Sequence, residues 1–169
     1  TARLGTQAES ELSFSLTDHL RLHASARRAA LPRHRTLAAT LDWSIGLLGD
    51  EELLLLRRLS VFRAYFGMEA ALSVAASALD PDMASDALLN LARKSLVVYD
   101  TDQTAEWPYR LLDTTRSYAH ALLVRAGEKD AVSKSHALFM LDLMGIATAD
   151  LASLDADAWT QRYRGCLDD

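Results

Sequence analysis

The sequence holds one cysteine, three prolines and seven glycines among 169 residues. A lone Cys166 has no partner for an internal disulfide and no paired base nearby in sequence, which removes disulfide scaffolds and fits a reducing cytoplasm. So little glycine and proline leaves few tight turns and no long flexible linker, and points to a helical fold. No apolar run approaches the roughly 18 residues of a membrane span. The opening "TARLGTQAESELSF" lacks the basic-then-apolar layout of a signal peptide, and it reads, like the closing "GCLDD", as cut from something longer. Positive charge is also short. Residues 1–67 carry 9 basic and 7 acidic side chains and residues 68–169 carry 9 and 16, for a net charge of -5. That balance argues against a chain built throughout to bind polyanions.

What is present is periodic. Leu12, Leu16 and Leu20 predict a helix over about Glu9 to His23, and "ASARRAALPRHR" reads as a polar connector broken by Pro32. Leu37, Leu41, Ile45 and Leu48 predict a second helix over Thr36 to Leu48, stopped by Gly49. Asp50 is placed to cap "EELLLLRRLSVF", whose acids lead and whose Arg57 and Arg58 trail, as the helix dipole favours. Two further helices, Met68 to Ala78 and Asp82 to Lys94, flank "LDPD".

The character then changes. Leu96 to Tyr99, a polar tip, and the alternation of Trp107, Tyr109 and Leu111 predict a β-hairpin. Helices resume over Asp113 to Ala126 and Asp130 to Thr148, with another near Asp155. Three helices followed by a two-stranded wing define a winged-helix layout over about residues 50–112. The expected fold is therefore mostly α: a winged-helix domain with one β-hairpin, flanked by additional helices.

No catalytic centre emerges. "DTDQT" opens like a calcium loop, but its sixth and twelfth positions are Ala105 and Leu111 rather than glycine and glutamate. His19 and His23 have the spacing of a two-histidine metal pair, yet Leu20 stands where a metalloprotease needs its glutamate, and no third ligand follows. There is no phosphate-cradling glycine loop and no nucleophile elbow. We therefore expect neither metal nor enzyme activity.

Two binding features remain. The second helix of the helix-turn-helix pair, "DMASDALLNLARKSL", presents Asp82, Ser85, Asp86 and Asn90, with Arg93 and Lys94 only at its far end. Acid leading toward phosphate argues against direct DNA contact by this helix. The basic run from Arg21 to Arg35 ends in Arg33, His34 and Arg35, just before the expected helix start, where free amides could meet an anion.

The run "RHRTLAATLDWSIGLLGDEELLLLRRLSVF" resembles the entry into the winged-helix domain of bacterial NB-ARC-type STAND ATPases, particularly those fused to transcriptional regulators. The likeness rests on Arg33, His34, Thr36, Leu37, Asp42, Trp43 and Ser44, then Leu56, Arg57, Arg58, Leu59, Val61 and Phe62. It continues through "LLNLARKSLVV" and "YRLLDTTRSYA", and "RAYFGM" departs from the usual glycine-then-phenylalanine order. The tail "SHALFMLDLM" is similar to the start of a helical-repeat (TPR-like) sensor region.

The resemblance implies three parts: residues 1–35, the end of a small helical domain and its connector; 36–126, the winged helix; and 127–169, the start of the repeats. It further implies a parent protein that binds ATP or ADP on an upstream nucleotide-binding domain, with the helical repeats downstream, and no cofactor in this chain, which has no P-loop. Distant relatives place a Met-His-Asp motif at the wing-to-helix junction, where the histidine contacts the ADP phosphate; here the aligned residues are Leu111, Leu112 and Asp113. Leu112 cannot make that contact, which leaves Asp113 to act as a helix cap that fixes the junction or as a salt-bridge partner. Asp113, Arg116, Arg33, His34 and Arg35 become the candidates for sensing nucleotide or switching. The expected function is a non-catalytic regulatory switch in a signal-transducing ATPase that controls transcription; the alternative is a winged helix that binds DNA directly.

Overall fold

The computed structural model describes residues 32–76, 79–101 and 106–167, with side chains from residue 39 onward. The expected helix over Glu9 to His23, and with it His19 and His23, lies outside the described residues, as does most of the "DTDQT" tip. The described residues divide into two units between Gly46 and Leu47.

In the first unit, α1 spans Pro32–Ile45. It starts four residues before the expected Thr36, since proline's fixed φ and missing N–H are tolerated in a first helical turn. Arg33, His34 and Arg35 therefore have helical backbone and do not belong to a connector.

The second unit begins with α2, Asp50–Leu59. Asp50 is the first helical residue and not the cap; Gly49 holds that position, and its N–H donates to Glu52 Oε2 at 3.0 Å. α3, Met68–Ala70, passes into a π-helical turn, Ala71–Ala75, where a uniform α-helix was expected. α4, Pro81–Arg93, starts on an Asp80 cap whose Oδ1 accepts from Asp82 N at 3.0 Å, with Pro81 in its first turn. Ala84, Ala87, Leu88 and Leu91, at helical spacing, form its buried stripe.

The wing is short: β1, Val98–Tyr99, pairs antiparallel with β2, Tyr109–Arg110. Trp107, Tyr109 and Leu111 are all buried, as the alternation required. Tyr109 also exchanges backbone hydrogen bonds with Phe66, of 2.8 and 3.1 Å, adding a one-residue third strand on the far side of β2.

Three helices follow: α5, Asp113–Arg125; α6, Lys129–Asp150; and α7, Ala156–Tyr163. α2 packs against both α4 and α5, and α6 against the π-helical turn. Leu55, Leu56, Leu59, Phe66, Leu88, Leu91 and Leu123 are almost fully enclosed and fill the centre. The architecture is a mostly helical winged helix with one hairpin. α6 and α7 supply one further helix pair, which alone does not make a repeat.

Candidate functional site

Winged helices meet their partners through the second helix of the pair and the wing, so α4 is the first surface to weigh. Its outward face carries Asp82, Met83, Asp86 and Leu89, all exposed. Its two terminal cations are engaged: Lys94 Nζ lies 2.6 Å from Glu52 Oε2, and Arg93 Nη1 donates to Asn90 Oδ1 at 3.3 Å. Lys94, helped by the Gly49 amide, holds the Glu52 carboxyl below its usual range, although burial acts the other way and more strongly than any single partner. The leading half of α4 is thus acidic and apolar.

At the wing-to-helix junction, Asp113 is the first residue of α5 and Leu112 holds the cap position, so no side chain caps this helix. The capping role expected of Asp113 therefore passes to no one. Asp113 instead stands 93% exposed and 3.6 Å from Arg116 Nη2, one turn on. A pair so open to water contributes little to stability. Arg116 Nε is shielded from solvent and has no hydrogen-bond partner. His120, one turn further along α5, has its pKa lowered by burial first and then by Lys129 and Arg116. Arg33, His34 and Arg35 belong to the other unit, and their side chains lie outside the described residues.

The wing is tied down from behind. Trp107 Nε1 donates to the Arg162 carbonyl at 2.8 Å, and the Tyr65 amide donates to the Gly165 carbonyl at 3.0 Å. Gly165 is required here, because a Cβ would lie 2.7 Å from that of Trp107. α7 is itself anchored on α6, where Asp150 Oδ2 accepts from Tyr163 Oη at 2.6 Å and from Arg162 Nη1 at 3.0 Å. Nothing in the sequence signals the Trp107–Arg162 and Tyr65–Gly165 links, which join residues more than 50 positions apart.

A second long-range contact was equally hidden. Glu128, in the α5–α6 turn, accepts from Arg57 Nη2 at 2.8 Å and Nε at 3.1 Å, and from Arg58 Nε at 3.0 Å. These hydrogen bonds lower its pKa to about 2. The two arginines suit the dipole at the end of α2 and also lock α2 to the start of α6.

Among the described residues no group of three or more His, Cys, Asp or Glu side chains could hold a metal ion, and no helix is long and apolar enough to cross a membrane.

These features define a winged helix-turn-helix domain, and comparison with known proteins agrees: residues 48–124 match the family described as "Winged helix-turn-helix domain". Among the relatives, a protein of Mycobacterium bovis and one of Mycobacterium tuberculosis, both named "Putative HTH-type transcriptional regulator", are 43% identical over 130 residues. The match covers 76% of this chain and 15% of each relative, so the chain spans less than a sixth of their length. An "Uncharacterized protein" of Mycobacterium tuberculosis is 37% identical over 135 residues, covering 78% of this chain and 34% of that protein. No solved structure matches. Neither the matched family nor the relatives' names point to an ATPase.

Proposed function

We propose that this chain is a non-catalytic regulatory part of a larger transcription regulator. The observation that carries the reading is the winged helix itself, matched over residues 48–124 and shared with relatives named as HTH-type regulators. Within that role we read the domain as working through contacts with the rest of its own protein. The acidic, apolar outward face of α4 supports this, because Asp82 and Asp86 would face phosphate at the very position where a DNA reader needs cations.

The resemblance to STAND ATPases supplies a finer form of the same reading. A nucleotide bound by an upstream domain would bias two arrangements of the winged helix, with Asp113, Arg116, Arg33, His34 and Arg35 reporting its state. In that form helical repeats downstream would receive the signal.

Direct duplex contact is the second reading, and the family match and the relatives' names favour it over the nucleotide switch. Titration of a mixed-sequence duplex with the full chain over a range of salt concentrations separates the two. From the charge of α4 we expect no saturable binding tighter than about 100 μM at physiological salt, the weak limit of non-specific affinity. Micromolar binding that falls steeply with salt would overturn the expectation and establish DNA contact.

A further inference from the structure

Charge and apolarity share one open face of α6. The inner side of this helix meets the domain through buried Val132 and Ala147 and through His136 against the Phe62 ring. On the opposite side Ala131, Lys134, Leu138, Leu141, Gly145 and Thr148 follow one another at alternating steps of three and four residues, and all six are exposed. That repeat has the 3.5-residue period of a seam along which one helix meets another. Leu138 and Leu141, at its centre, are 54% and 69% exposed. A helix face that stays in water ordinarily carries polar side chains at such positions.

The charges along the seam select its occupant. Lys134 precedes the two leucines and Asp142 follows them, and neither side chain has a hydrogen bond or ion pair among the described residues. A second α6 laid antiparallel across Leu138 and Leu141 brings each Lys134 beside the Asp142 of the other copy, so one residue pair supplies two complementary contacts, as a twofold interface requires. A parallel copy would set lysine against lysine and aspartate against aspartate. In the antiparallel arrangement Gly145 lies opposite the Lys134 stem of the other copy. Glycine inside a helix is destabilising relative to alanine, and nothing in the single chain requires it here, since a Cβ at Gly145 would meet nothing within 4 Å. The 22 residues of α6 offer a contact about 33 Å long, burying on the order of 1,000 Å² in total, the lower limit of specific interfaces.

We propose that α6 is a self-association surface on which two copies of this chain pair antiparallel, Leu138 against Leu141 and Lys134 against Asp142. An interface of this size fits a reversible dimer. The proposal goes beyond the regulatory reading and uses no part of α4, so either can fail without the other.

Sedimentation equilibrium of the full chain at low ionic strength tests it. A monomer–dimer equilibrium is expected, with the dimer prevailing at about 100 μM chain, the range of weak reversible interfaces. Leu138→Asp and Leu141→Asp, at positions outside the core, should each weaken the dimer at least about tenfold, because a carboxylate would be buried against leucine. Lys134→Glu and Asp142→Lys each create two like-charged pairs and should weaken it about fivefold, while the double exchange should return the affinity to within about twofold of the wild type. Met83→Asp, on the outward face of α4, should change nothing. A chain that stays monomeric at about 100 μM overturns the proposal and leaves the seam to a different partner. A dimer that survives both leucine substitutions, or is weakened as much by Met83→Asp, overturns it as well. So do single charge reversals without effect, or a double exchange that fails to recover.

Discussion

One carboxylate, Glu128, receives three hydrogen bonds from two adjacent arginines and so ties the end of α2 to the start of α6. Arg58 reaches further, donating to the Ala75 carbonyl at 3.2 Å, so the cluster also closes the π-helical turn. Glu128→Gln should lower unfolding free energy by about 2 kcal/mol, the scale of charged hydrogen bonds left with an unpaired partner, measurable by urea denaturation. The pH dependence has a definite sign. A carboxyl whose folded pKa is depressed from 4.5 to about 2 adds stability that is complete above about pH 4.5 and is lost as pH falls toward 2. His120, also depressed, acts in the same direction, because protonating it is harder in the folded chain than in the unfolded one. Melting temperature should therefore drop through the acid range in the wild type and drop less in Glu128→Gln.

Elements were legible in the sequence wherever a local pattern dictated them. The stripe of Ala84, Ala87, Leu88 and Leu91, the Asp80 and Pro81 start, and the alternation through Trp107, Tyr109 and Leu111 each depend on residues a few positions apart. What stayed hidden depends on distance: the Phe66 bridge, the Glu128 cluster and the Trp107 brace all join segments more than 40 residues apart. Local chemistry misplaced some boundaries as well, since Asp50 and Asp113 look like caps yet fall one residue inside their helices. The end of α4 is instructive. Ser95 takes the left-handed conformation, with φ of 59°, and its amide donates to the Ala92 carbonyl at 2.9 Å, while the Leu96 amide closes on Leu91 at 3.0 Å. This reversal aims Leu96 and Val97 into the core ahead of the wing. Ser95→Val should destabilise the chain by about 1 kcal/mol, because a β-branched side chain fits this backbone poorly, and thermal unfolding would register it.

At the scale of the molecule, the match to a winged helix-turn-helix family ends at residue 124, but the packing does not. α2 depends on Glu128, Phe62 packs edge-on against His136 with ring centroids 5.0 Å apart, and Trp107 depends on Arg162. Shortening the chain to end at residue 126 should therefore cost several kcal/mol, through lost burial and lost hydrogen bonds together. With Trp43 replaced by Phe in both the full and the shortened chain, and Trp159 in the full one, Trp107 offers a direct check: its emission should shift to the red as the indole loses its carbonyl partner and gains water. Emission unchanged on truncation would show that the wing stands without its brace.

That brace has a mechanical meaning. α7 touches the wing through Arg162 and Gly165 and touches α6 through Asp150, so it works as a lever with one end on each. A pull on α6 would therefore reach the hairpin through α7.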